Sequence, residues 1–345
     1  MQSGAAVSPL AAPKGTKMVC ELCQKPALLL CTGCRCAYYC CDDHQKTAWA
    51  AVHSKVCRLV GALGSARDFC TLEERRLRDE TVRQQKVRIM QMSLVCGTRH
   101  IYSDRPGLTL PAAKQALAMA AEVYGAASVE LVRPFLMLAT ACVMLGELSS
   151  AEGYLSQGEW TLIYSKSEDH ALRSQLFWGW GRMLTARRDW LPAKWCFAET
   201  VHHSSEAFGP QDVRCTLGYF WLAETLLRLD KLDICASLFR EIVTIWHQFF
   251  YAGSCSEEPP RRLDDTEVIE ALHVLTAVRK AFSAPDSASR SQTASSRMGL
   301  HTSSGGRHQW WRNEENAACV VRLDVILNRL RNYSPGLELP QVLMR

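Results

Sequence analysis

From Thr71 onward the apolar positions recur at helical spacing with charged residues set between them. The stretch TLEERRLRDETVRQQKVRIMQMSLV opens on a Thr71 and Glu74 capping-box pattern and turns apolar only towards its end, so a linker helix is expected over 58–89. Beyond it the chain repeats itself with a period of 42 residues, in units starting at Met90, Val132, Ser174 and Thr216. The eighth position of each unit is Gly97, Ala139, Gly181 or Ala223, and the twentieth is Thr109, Ala151, Ala193 or Cys235. Small residues at both places let two antiparallel helices approach closely. The fourth position (Ser93, Phe135, Phe177, Tyr219) and the twenty-fourth (Ala113, Leu155, Phe197, Phe239) mostly carry larger side chains, expected to fill the space between neighbouring pairs. EVYGAASVELV and EAFGPQDVRCT lie 84 residues apart and repeat the turn between units, with Gly125 and Gly209 at expected helix ends. The pattern predicts a mostly α chain: four stacked hairpins over 90–257, an additional helix over 258–283, and a Ser-rich, largely disordered tail over 284–345. Within that tail ENAACVVRLDVILNRL is expected to form one isolated amphipathic helix. Trp178, Trp180, Trp195 and Trp221 are expected in the core, and Cys142, Cys196 and Cys235 as small apolar fillers.

The head of the chain follows another rule. Residues 1–17 have neither the charged start nor the unbroken apolar run of a signal peptide, and are expected to be a flexible N terminus. No apolar run is long enough to span a bilayer, which leads to an expected intracellular address without membrane partners. In that setting 16 cysteines point away from disulfides, and eight of them fall between Cys20 and Cys57. A net charge of +5 with no dense Lys/Arg run leaves nucleic acid off the list of expected partners.

The spacing in the head is C-x2-C-x7-C-x2-C-x5-C-x3-H-x8-H-x3-C, over Cys20, Cys23, Cys31, Cys34, Cys40, His44, His53 and Cys57. Eight soft donors make two four-coordinate sites, and thiolate with imidazole selects zinc. Each C-x2-C pair aims two thiolates at one ion from a tight turn. Cys40 with His44, and His53 with Cys57, are separated by four residues and share a helix face, and DDHQKTAWAAVHSK reads as that helix. Cys36 and Cys41 fall outside the spacing; Cys41 could stand in for Cys40, but only Cys40 keeps the four-residue step to His44. Spacing alone permits both a sequential and an interleaved pairing of the eight ligands. A segment this short cannot offset its chain entropy by apolar burial, so it is expected to fold on metal, with roughly 10–16 kcal/mol of apparent binding free energy per structural zinc.

CELC, CTGC, YYC, QKTAW and HSKVC together resemble a MYND zinc finger over residues 18–57. The resemblance implies interleaved sites, Cys20, Cys23, Cys40 and His44 for one zinc and Cys31, Cys34, His53 and Cys57 for the other. His44 stands where most members have cysteine. RING fingers also interleave two zincs but close on a C-x2-C pair that is missing here. In MYND fingers that bind proline-rich peptides a Gln and a Trp line the groove, and Gln45 and Trp49 occupy the matching positions, with packing over the zinc as the competing role for Trp49. The 42-residue columns resemble tetratricopeptide repeats in their longer form, LGYFWLAETLLRLDKLDICASLFREIV being the best unit and the first, with His100 and Asp104 at positions usually apolar or Gly, the poorest.

The order of finger and repeats, from about residue 13 to about residue 283, resembles MYND-domain scaffold proteins that carry tetratricopeptide repeats. That resemblance implies a non-enzymatic adaptor of the cytoskeleton, in cilia or sperm flagella, with axonemal dynein-arm components or other tetratricopeptide proteins as partners. A nuclear transcriptional adaptor whose finger recruits proline-rich corepressor peptides is the alternative. A SET-MYND lysine methyltransferase fits less well, because everything after residue 70 reads as helix and no acid, base and nucleophile converge in the sequence.

Overall fold

The computed structural model describes residues 4–7, 18–64, 71–251, 261–283 and 314–333, and it divides into two compact units, Met1–Glu168 and Asp169–Arg345. Both are predominantly helical. The first unit begins with a small antiparallel sheet in the order β1 (Gly4–Ala6), β2 (Leu29–Cys31), β3 (Tyr38–Tyr39). One uninterrupted helical run follows: α1 (Asp42–Ala48), a π-helical turn (Trp49–His53) and α2 (Ser54–Gly64). Asp42 and Asp43 lie in its first turn, where carboxylates oppose the helix dipole favourably.

Helix α3 (Leu72–Tyr102) starts at the capping box read from sequence: the Glu74 amide donates to Thr71 Oγ1 at 3.1 Å, and the Thr71 amide donates to Glu74 Oε2 at 3.1 Å. It pairs with α4 (Pro106–Tyr124), and α5 (Val132–Leu145) pairs with α6 (Leu148–Tyr164). The second unit holds the hairpins α7 (His170–Ala186) with α8 (Trp190–Phe208) and α9 (Thr216–Arg228) with α10 (Leu232–Tyr251), then α11 (Asp265–Ser283) and α12 (Glu314–Tyr333).

The 42-residue period is written into the backbone of all four hairpins. Asp104, Gly146, Arg188 and Asp230, each 42 residues from the next, sit in the left-handed region at φ 54°, 78°, 65° and 59°. The amide of the residue after each donates to the carbonyl five back: Arg105 to His100, Glu147 to Cys142, Asp189 to Leu184 and Lys231 to Leu226, at 2.9–3.0 Å. The inter-unit turn repeats as faithfully. Gly125 and Gly209 take φ of 90° and 89°, and each leads through a side-chain cap, Ser128 or Asp212, into a short 3-10 turn, Val129–Leu131 or Val213–Cys215.

Packing follows the sequence columns. The eighth, twentieth and twenty-fourth positions are buried in all four hairpins, Phe197 and Phe239 completely so. The close approach is tight: a Cβ on Gly181 would meet the Phe197 ring at 2.6 Å, and one on Gly97 would run into the Met137 thioether. At the fourth position only Ser93 is fully buried, and Phe135, Phe177 and Tyr219 are half-buried. Cys142, Cys196 and Cys235 are buried as fillers. The tryptophans divide: Trp178, Trp180 and Trp221 are half-buried and Trp195 is exposed, whereas among the described residues the fully enclosed tryptophan is Trp246, whose indole N–H donates to Thr216 Oγ1 at 3.2 Å.

Three local expectations need revision. Gly4–Ala6, within the segment expected to be flexible, form a strand. The linker helix expected over 58–89 is not a separate element: α2 ends at Gly64, α3 runs from Leu72 through to Tyr102, and Val52 and Val56 share one core with Ile89 and Met90 of α3 and Ala112, Ala116 and Met119 of α4. Helix α12 is not isolated, since Leu323, Ile326, Leu327 and Leu330 are buried and it packs on α10 and α11. The Ser-rich stretch 284–313 lies outside the described residues. Among the described residues no helix is long and apolar enough to cross a membrane.

Candidate metal centre

Both C-x2-C pairs fold into the same turn. The Gln24 amide donates to the Cys20 carbonyl and the Arg35 amide to the Cys31 carbonyl, each at 2.9 Å, with Gln24 and Arg35 in the left-handed region at φ 59° and 56°. In each turn this brings the first and fourth side chains together. A bond from the Glu21 amide to the Tyr38 carbonyl (3.0 Å) ties the first turn to β3, and Cys40 follows directly after that strand. His44 projects from α1, His53 ends the π turn and Cys57 lies on α2.

Two groups of four donors result: Cys20, Cys23, Cys40 and His44, and Cys31, Cys34, His53 and Cys57, with all donor atoms of a group within 4.8 Å of one another. In the first, His44 Nδ1 lies 3.5 Å from Cys20 Sγ and 3.2 Å from Cys40 Sγ, and Cys23 Sγ lies 3.6 Å from Cys40 Sγ. In the second, His53 Nε2 lies 3.4 Å from Cys31 Sγ and 3.6 Å from Cys34 Sγ, and Cys31 Sγ lies 3.9 Å from Cys57 Sγ. A regular tetrahedron around zinc, with ordinary zinc–sulfur and zinc–nitrogen bonds, has edges of about 3.8 Å between sulfurs and about 3.5 Å between sulfur and nitrogen. The separations match those edges, so each group fits one zinc ion.

The electrostatics agree. Burial holds the His53 imidazole down to about 4, leaving it neutral with its lone pair available. Burial also pushes the Cys34 thiol up to about 12, so a cation is needed to make it a thiolate at neutral pH. At Cys20 burial acts upward too, but backbone donors at Cys23, Cys40 and Leu22, with His44, outweigh it and bring the thiol down to about 6. The second group is wholly buried; in the first only Cys20 is.

The two leftover cysteines stay outside both groups. Cys41 is exposed at the N-cap of α1, and Cys36 sits against Gly64 of α2.

Residues 20–57 match the model of the MYND finger family. The MYND finger here is thus a two-zinc module with interleaved sites, and the sequential pairing that spacing left open is excluded by which donors meet. Gln45 is buried beside Gly4, and Trp49 is half-buried with its ring 5.8 Å from that of His53, so it packs over the second site. Tyr39, fully buried, meets the same imidazole edge-on at 6.2 Å.

Two contributors to the finger escaped the sequence reading. One is the strand β1. The other is His100, whose Nε2 lies 2.8 Å from the Ala51 carbonyl in the π turn, where the helical ladder is widened. The sequence signal for His100 is its place, with Asp104, at repeat positions usually apolar or Gly.

Proposed function

We propose that the chain is a non-enzymatic scaffold whose helical hairpins, a tetratricopeptide-type array, hold protein partners while the two-zinc finger provides a second, peptide-binding surface. The observation that carries this reading is the pairing of a MYND finger, a protein-interaction module, with a hairpin array whose turn and core positions recur at one period. Such arrays act through what their surface holds. Gln45 and Trp49 are the finger residues we assign to peptide contact, and the resemblance in module order supports partners among axonemal dynein-arm components in cilia or sperm flagella.

A tagged pull-down from ciliated or testis tissue tests it, comparing the intact chain with Gln45→Ala plus Trp49→Ala. Recovery of dynein-arm proteins by both forms is expected. Recovery of chromatin corepressors by the intact chain alone, lost in the double variant, would contradict the axonemal assignment and make the finger the main binding surface.

A further inference from the structure

Strand β1 lies antiparallel on β2 in the register Gly4 to Cys31, Ala5 to Leu30 and Ala6 to Leu29, and the Val7 amide donates to the Leu28 carbonyl at 2.9 Å. It therefore covers the edge of β2 that does not face β3. Very little side chain holds it there. Two of its three residues are exposed alanines, and the third is a glycine pressed against the helix: a Cβ on Gly4 would lie 2.5 Å from Gln45 Oε1 and 3.3 Å from Leu29 Cβ. The strand is attached by its ladder hydrogen bonds and by covalent connection through residues 8–17, not by a buried apolar face.

A backbone edge recognised mainly through main-chain bonds, with one shape-selective position, is the general form of a strand-addition site. We propose that the β2 edge is such a site, that Gly4–Val7 occupy it in cis, and that an extended partner segment with glycine or another small residue facing Gln45 binds only by displacing them. The inference rests on the reading of the finger as a peptide-binding module and names what that module recognises. A short tether supplies an effective concentration of the order of millimolar, so the cis strand competes even with weak intrinsic affinity. A partner segment in trans then binds more weakly than the open edge would allow, by about tenfold for a cis strand closed some nine-tenths of the time.

The test uses a fluorescein-labelled peptide of residues 1–13, MQSGAAVSPLAAP, titrated by anisotropy against three forms of the otherwise full chain: the natural sequence, Ala5→Pro, and a chain lacking residues 1–7. Proline at position 5 takes a donor out of the middle of the strand. The truncated chain keeps the test decisive should Ala5→Pro misfold, and native mass spectrometry reports whether each form retains both zincs. Binding to the two altered chains about tenfold tighter than to the natural one is expected, with amide exchange at Leu29–Cys31 fast in those chains and slowed again by the peptide. Equal affinity for all three forms, or binding to none, would overturn the proposal. Neither result depends on which tissue protein is the partner, so the axonemal assignment can fail while this site stands, and the reverse.

Discussion

Arg188 and Asp230 occupy left-handed backbone positions that glycine fills at the equivalent place in the second hairpin. An L side chain pays about 1–2 kcal/mol there, offset in part by the extra entropy that glycine loses on folding. Arg188→Gly should therefore raise stability by up to about 1 kcal/mol, read as a higher unfolding midpoint; a lower midpoint would show that the turn is not under strain. Gly181 runs the other way. Its position against the buried Phe197 ring leaves no space for a branched side chain, and Gly181→Val should destabilise by about 1–3 kcal/mol in chemical denaturation. Among the titratable groups, burial holds His273 down to about 4, with Arg182 nearby acting in the same direction. The fold keeps it neutral, while the unfolded chain protonates it near 6.5, so the unfolded state binds the extra proton. Stability should fall as pH drops from about 6.5 towards 4, by up to about 1.4 kcal/mol per pH unit, and His273→Asn should flatten that part of the profile.

At the scale of elements, the columns of small and large residues foretold which faces are buried, because a helix pair forced into close contact leaves few choices at the contact points. The turns were less legible. Three of the four left-handed residues are not glycine, so their 42-residue spacing shows in the backbone and not in the residue types. Strand β1 had no signal at all: three small residues carry no alternation, and their strand exists only because β2 offers an edge. The docking of α12 on α10 and α11 was likewise invisible, since an amphipathic face does not say what covers it. The ligand list was readable from spacing, but the pairing depends on how two turns and a helix meet in space. His100 belongs to this scale too. His100→Leu should remove its bond to the π-turn carbonyl, cost about 1 kcal/mol, and raise amide exchange around the finger, with both zincs retained.

For the whole molecule, the finger and the first hairpin share one core through Val52, Val56, Ile89 and Met90, so they are expected to unfold together. Zinc binding then stabilises more than its own loops. The head of this chain has the donors for two zinc ions in two interleaved Cys3His sites, and native mass spectrometry of the intact chain counts the ions they hold. The natural sequence and a Cys36→Ser plus Cys41→Ser chain should each carry two zincs, and Cys31→Ser should lose one. A natural chain with one zinc or none, or loss of zinc on replacing Cys36 and Cys41, would contradict it.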